Sequence, residues 1–174
     1  MTAVVVPHDP AWAGAFAQEA EALQDAFGAI AVRVEHVGST SIPGILAKPV
    51  IDILVAASDL GAVDRLTGAL CALGYEAKGE YGIAGRRYFR KSNAAGVRTH
   101  HVHVFRDGVP EIARHLAFRD YLRAHPGIAR VYSDLKADLT AGQGRNGRDY
   151  QDAKSDWIAR TEAEALAWNA GRRG

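Results

Sequence analysis

A single carboxylate, Asp52, stands in the middle of the apolar run Val50-Ile51-Asp52-Ile53-Leu54-Val55. A charge in such a run is costly unless it is paired, liganded or open to water. Shortly upstream, Gly38-Ser39-Thr40-Ser41 follows another strand-like stretch. Glycine there lets the backbone come close to a ligand, and the N–H groups with the Ser39 and Thr40 hydroxyls suit phosphate oxygens. A carboxylate on a neighbouring strand could hold Mg²⁺ or Mn²⁺ against a phosphate seated in that loop. A plain Gly-Ser turn is the competing reading of the same residues.

Two further groups offer chemistry. His101 and His103 lie two apart, so both imidazoles project from one face of a strand and suit a transition metal such as Zn²⁺. Ordinary polar residues on a half-exposed strand would show the same pattern. Arg86, Arg87, Arg90, Lys91 and Arg98 concentrate in one stretch. Guanidinium forks match phosphate oxygens, which makes Arg87 and Arg90, with Lys48 beside Pro49, candidates for binding phosphate and its developing charge. A solvated surface would also carry them. His36 and His100 fall on the apolar side of their strands and read as hydrogen-bonded, half-buried histidines.

Strand parity joins these residues. Ile51, Ile53 and Val55 share one face, and Val50, Asp52 and Leu54 the other. Val102 and Val104 form the matching apolar face of a second strand, so His101, His103 and Phe105 point away from it. If helices cover the apolar faces, both strands place metal-capable side chains on the opposite, more open face.

The elements that must hold them follow from spacing. Asp9-Pro10 opens a helix with Trp12, Phe16, Leu23 and Phe27 on one side, closed by Gly28. Residues 32–37 and 50–56 read as strands. Ser58 or Asp59 starts one helix carrying Leu60, Val63, Leu66, Leu70 and Leu73, ended by Gly74. Residues 86–91 and 98–105 flank the turn-forming Ser-Asn-Ala-Ala-Gly and suggest a hairpin. From Pro110 the pattern is helical to about His125, where Pro126 interrupts it. A second helix carries Ile128, Val131, Tyr132, Leu135 and Leu139, followed by the polar loop GQGRNGRD. A last helix from about Asp149 aligns Tyr150, Ala153, Trp157, Thr161 and Trp168, and the tail NAGRRG reads as frayed. The expected fold is α+β: one domain over residues 1–174, with a mixed sheet, helices on one face and a helical C-terminal part at about 110–170.

Composition narrows the function. The chain has 174 residues, enough for a core of its own, and 48% hydrophobic with 24% charged residues is ordinary for a globular protein. A net charge of +1 gives no global attraction to nucleic acid or an anionic membrane, so any anion affinity must be local. No basic and aromatic stripe suggests nucleic-acid recognition, and the partner expected is a nucleotide or another phosphorylated small molecule. The lone Cys71, in a helical pattern, reads as a small core residue. No stretch has signal-peptide character or membrane-spanning length, which points to a cytoplasmic protein.

The motifs RVEHVGSTSIPGILAKPVIDILV, GRRYFR, HHVHVF, LAFRDYLRAHPGIARVYSDLKADL and YQDAKSDWI, in that order, resemble the GrpB family from about Trp12 to Ile158. Its members occur alone or fused to dephospho-CoA kinase and are similar to the nucleotidyltransferase superfamily. That superfamily's pattern is an apolar residue, Gly-Gly or Gly-Ser, a spacer, then Asp-apolar-Asp/Glu. Val37, Gly38, Ser39, Asp52 and Ile53 match it, whereas Leu54 stands where the second carboxylate belongs. The resemblance implies a metal-dependent transfer of a nucleotidyl or phosphoryl group to a small acceptor, with Asp52 as the catalytic metal ligand. The missing carboxylate leaves open a non-catalytic module that binds a nucleotide or phosphorylated ligand. Glu35, of a parity that brings it to the side of Asp52, is a candidate substitute ligand. His101 or His103 could complete the shell and shift preference toward Mn²⁺ or Zn²⁺.

Overall fold

The structure, a computed structural model, describes residues 4–140 and 147–172. In chain order it contains α1 (Ala11–Phe27), β1 (Ala31–Val37), β2 (Ile51–Ala57), α2 (Leu60–Arg65), α3 (Thr67–Ala72), β3 (Tyr75–Ala77), β4 (Arg86–Ser92), β5 (Arg98–Arg106), α4 (Pro110–Ala124), α5 (Pro126–Thr140) and α6 (Gly147–Gly171). The sheet order is β1-β2-β5-β4-β3, with β2 and β5 parallel and the other neighbours antiparallel. The fold is therefore α+β with a mixed sheet, as its sequence pattern implies.

Local chemistry sets the boundaries. The Asp9 carboxylate accepts the Ala11 N–H at 2.9 Å and starts α1, and Gly28 at φ 58° stops it. The Asn93 side chain accepts from the Ala95 and Val97 N–H groups at 3.0 Å each and shapes the turn between β4 and β5. The single helix expected after Asp59 is two. Thr67 turns its hydroxyl back onto the Asp64 carbonyl at 2.9 Å, and Leu66 leaves helical geometry at ψ 4°. Cys71 lies on the outer side of α3 and is exposed, not in the core, while its neighbour Leu70 is buried. The edge strand β3 is three residues long, too short for an alternating pattern to announce it.

One sheet face carries Ile51, Ile53, Val55, Phe89, Val102 and Val104, packed against Trp12, Leu23 and Phe27 of α1 and Val63 and Leu70 of α2 and α3. Fully burying each such side chain contributes roughly 1.5–3 kcal/mol. On the other face α4 lays Ile112 and Leu116 over Val37, Leu54, Ala56 and Phe105. Only part of that second face is covered in this way, and Asp52, His101 and His103 lie beside the covered part.

The C-terminal helices close around the loop after β1. Ile42 and Ile45 pack against Leu122 and Ala129, and the Ser133 hydroxyl accepts the Leu46 N–H at 2.8 Å. Trp157 stacks on Tyr132 at 5.7 Å, and Trp168 meets Tyr121 and His125. Most of the polar loop GQGRNGRD, the end of the tail and the side chains of Tyr150 and Ala153 lie outside the described residues. No helix among the described residues is long and apolar enough to cross a membrane.

Candidate functional site

Asp52 pairs in register with Val37 on one side and His101 on the other, while Leu54 pairs with Glu35 and His103. Directly paired residues share a sheet face, so Asp52, His101 and His103 come together on the face away from α1. His101 Nδ1 donates to Asp52 Oδ1 at 3.1 Å, and His103 Nε2 approaches the same oxygen at 3.5 Å. One ligand atom from each lies within 4.8 Å of the others, a cluster that could hold a metal ion. Asp52 retains 28% side-chain exposure, so the carboxylate is recessed but reachable. Burial acts to raise its pKa, but the hydrogen bonds and charge of the two histidines outweigh it and hold the group at about 2.

Gly38 fits the loop against this carboxylate. Its backbone adopts φ 71° and ψ −174°, and a Cβ there would meet Asp52 Oδ2 at 2.6 Å. Ser39 follows at the start of a short 3₁₀ turn and is half-buried. Thr40 turns inward instead. Its hydroxyl donates to the Val50 carbonyl at 3.1 Å and accepts from His36 Nε2 at 3.0 Å, which braces the loop rather than facing a ligand. His36, stacked on Phe16 at 4.8 Å, has its pKa lowered to about 4, chiefly by burial and then by the Arg123 charge. Arg123 also donates to the Ser41 carbonyl at 2.8 Å and fixes the far end of the loop.

Several sequence candidates stand elsewhere. Arg87 projects to the α1–α3 face and forms a two-pronged ion pair with Asp64 of α2, at 2.6 and 3.0 Å. Its neighbour Arg86, not singled out among the basic residues, is the one on the Asp52 face, because it pairs with Phe105. Arg90 pairs with His101 in register but turns to the sheet edge, where Glu76 of β3 takes its Nε at 2.5 Å. Lys48 is exposed beyond the loop. Glu35 is on the expected face, yet Arg119 of α4 holds its carboxylate at 2.8 Å and also donates to the His36 carbonyl. It is therefore engaged by Arg119, outside the three-residue cluster. His100 behaves as expected, bonded to the Thr99 hydroxyl at 2.9 Å and half-buried near Glu19.

The helical cover adds groups that the motifs did not reveal. Tyr132 of α5 meets the Ser39 side chain; burial raises its pKa, the Ser39 contact opposes this and the Asp52 charge adds to it. Lys136, one turn on, sets its ammonium 4.3 Å from the centre of the Tyr132 ring. Burial, reinforced by Lys154, lowers its pKa to about 8, and Asp52 opposes that shift. Asp52 thus stands against the Gly38 loop, and the Lys136 charge acts on it from α5.

A carboxylate with two imidazoles is a donor set that fits Mn²⁺ or Zn²⁺ better than Mg²⁺, which prefers oxygen. Asp52 Oδ1 and His101 Nδ1 form the tighter pair. Arg86 Nη1 lies 3.5 Å from His103 Nδ1 and can only donate to it, so ligation through Nε2, which puts the His103 proton on Nδ1, would require Arg86 to turn aside.

Fold and cluster together define an α+β protein whose mixed sheet presents one aspartate and two histidines beside the part of the face that α4 covers. The chain belongs to the GrpB family: the model described as GrpB protein matches residues 2–164. It is 45% identical over 168 residues to UPF0157 protein YqkA of Bacillus subtilis, covering 97% of this chain and 48% of that protein. It is 31% identical over 192 residues to dephospho-CoA kinase of Mycobacterium leprae, covering 94% of this chain and 46% of the kinase. The chain thus spans about half the length of both relatives. The crystal structure of conserved protein GrpB from Enterococcus faecalis superposes with a TM-score of 0.86 at 42% identity, covering 95% of this chain and 99% of that one.

Proposed function

We propose that this chain handles phosphate through a divalent cation and transfers a nucleotidyl or phosphoryl group to a small acceptor. One observation carries this: Gly38 and Asp52 approach so closely that no other side chain fits at position 38, which joins the loop to the carboxylate and its two histidines. Asp52 with His101 and His103 would hold Mn²⁺ or Zn²⁺, with Mg²⁺ the weaker fit. A cation bound there supplies charge neutralisation and polarisation of the reacting phosphate. The half-buried Ser39 and the N–H groups near it would orient phosphate oxygens. Lys136 would place positive charge above them from α5. Residues 1–174 would act as one domain, with the helical segment as the roof of the site.

Thermal unfolding with each nucleoside triphosphate and each of Mn²⁺, Zn²⁺ and Mg²⁺ tests this. A ligand at one hundred times its Kd stabilises by about 2.7 kcal/mol, which raises the midpoint of a chain this size by roughly 5–10 °C. The shift should require cation and nucleotide together and vanish in Asp52→Asn. Absence of a shift with every pair would reject the proposal.

A second reading, a binding module without turnover, is favoured by Leu54. That residue is 1% exposed and packed by α4, and with Glu35 tied to Arg119 the second ligand set of a two-metal reaction is missing. Nucleotide binding that survives a chelator, with no product by mass spectrometry, would select it.

A further inference from the structure

We propose that Tyr81 and Tyr88 form a stacking platform for a planar aromatic group of the ligand, so that the phosphorylated partner is a nucleotide held by its base as well as its phosphates. The inference rests on the phosphate-handling reading above. Its starting point is a backbone anomaly. Tyr81 has φ 47° and is the one non-glycine residue with positive φ among the described residues. Bulky side chains rarely occupy that region. Burial does not compensate, since Tyr81 is 57% exposed.

The conformation is imposed from beneath. Arg86, 8% exposed, donates from Nη2 to the Tyr81 carbonyl at 2.8 Å and from Nε to the Glu80 carbonyl at 3.2 Å. The Glu80 carboxylate accepts the Gly85 N–H at 2.8 Å and closes the loop. A buried guanidinium thus fixes a strained and largely solvent-facing ring. Strain held by its surroundings in this way is characteristic of ligand sites.

The ring's direction points to its use. Tyr81 stacks on Tyr88 with centroids 5.1 Å apart and planes at 21°. Tyr88 pairs in register with His103 and so stands on the Asp52 face. Its ring centre is 5.3 Å from that of His103 and 5.6 Å from that of His101. A run of aromatic rings therefore leads outward from the cluster. The loop that carries Tyr81 is uncrowded, since a Cβ built on Gly79, Gly82 or Gly85 would meet nothing within 4 Å, and Tyr81 is itself 57% exposed. An offset stack of two rings extends naturally to a third, and a base has a π-face whatever its identity. A nucleotide joins such a ring to its phosphates through one sugar, which matches a platform one ring beyond the cluster.

The test compares ATP with inorganic tripolyphosphate, each with Mn²⁺, by calorimetric titration of the full chain. Wild-type protein should bind ATP more tightly, on the order of tenfold, the scale of one stacked base. Tyr81→Ala should erase that advantage while leaving tripolyphosphate unchanged, and Tyr81→Phe should keep it. Tyr81→Gly gives a signature that a purely structural role would not: relief of the positive φ should raise the melting temperature while the ATP preference is lost. Equal affinity of wild-type protein for both ligands, or an ATP preference that survives Tyr81→Ala, would overturn the platform and leave the phosphate reading standing. Failure of both ligands to bind would reject the phosphate reading and the platform with it.

Discussion

Gly38→Ala puts the junction between loop and carboxylate under direct load. The native φ 71° with ψ −174° lies in a region almost exclusive to glycine, and an alanine held there costs about 1–3 kcal/mol. Its Cβ would also stand 2.6 Å from Asp52 Oδ2, 3.0 Å from Cβ and 3.1 Å from Cγ. The carboxylate cannot simply rotate away, because His101 holds Oδ1 at 3.1 Å. Displacing it sacrifices a charge-assisted hydrogen bond worth roughly 1.5–3 kcal/mol. The two terms sum to about 2.5–6 kcal/mol, a large share of the roughly 5–15 kcal/mol that holds a domain together. Urea unfolding followed by tryptophan fluorescence measures the loss. Asp52→Ala then separates the terms, since it removes the Oδ2 and Cγ contacts but leaves the 3.0 Å contact and the positive φ. In the double mutant the alanine at position 38 should cost about 1.5–3 kcal/mol less than in the wild-type background. A Gly38→Ala protein as stable as wild type, or a strictly additive double mutant, would refute the close approach on which the site is built.

Two further outcomes follow from the same side chains. His36 has its folded pKa depressed from 6.5 to about 4, so its contribution is fully present above pH 6.5 and is lost as pH falls toward 4. The loss reaches about 3 kcal/mol near pH 4, and His36→Gln should flatten that part of the stability profile in urea titrations. Leu54→Asp adds a second carboxylate two residues after Asp52 but places a charge among Val37, Phe105 and Ile112. It should destabilise by more than about 3 kcal/mol and confer no nucleotide turnover, as read by unfolding and by mass spectrometry.

Parity made the centre of this arrangement legible. In an apolar strand the period of two is unambiguous, so Asp52 and the His101–His103 pair could be assigned to one face before their strands were known to be adjacent. The hairpin was harder. Arg86-Arg87-Tyr88-Phe89-Arg90 carries basic and aromatic residues on both faces, and only the pairing of Tyr88 with His103 shows that Arg86, not Arg87, shares the face of Asp52. Register depends on partners far away in sequence, which local pattern does not record. In β1 an irregularity between Ala31 and Arg33 leaves Val32 exposed despite its apolar character. Tyr132 and Lys136 were invisible for another reason. They sit on a helix whose stripe accounts for them as packing and surface, and what they face depends on how α5 docks over Ser39.

The apolar residue at position 54 and the helix over it are linked. Position 54 lies where α4 crosses the second sheet face, and Ile112 with Leu116 forms the patch that seals Leu54. The same helix carries Arg119, which draws Glu35 into an ion pair and braces the His36 carbonyl. It also carries Arg123, which holds the Ser41 carbonyl and with it the loop. A charged residue at 54 would need water or a cation where α4 now packs, and withdrawing α4 would release Glu35 and the loop together. With this helix in place Leu54 stays sealed and Glu35 stays paired with Arg119, and the two imidazoles beside Asp52 occupy the position from which a second ligand must come.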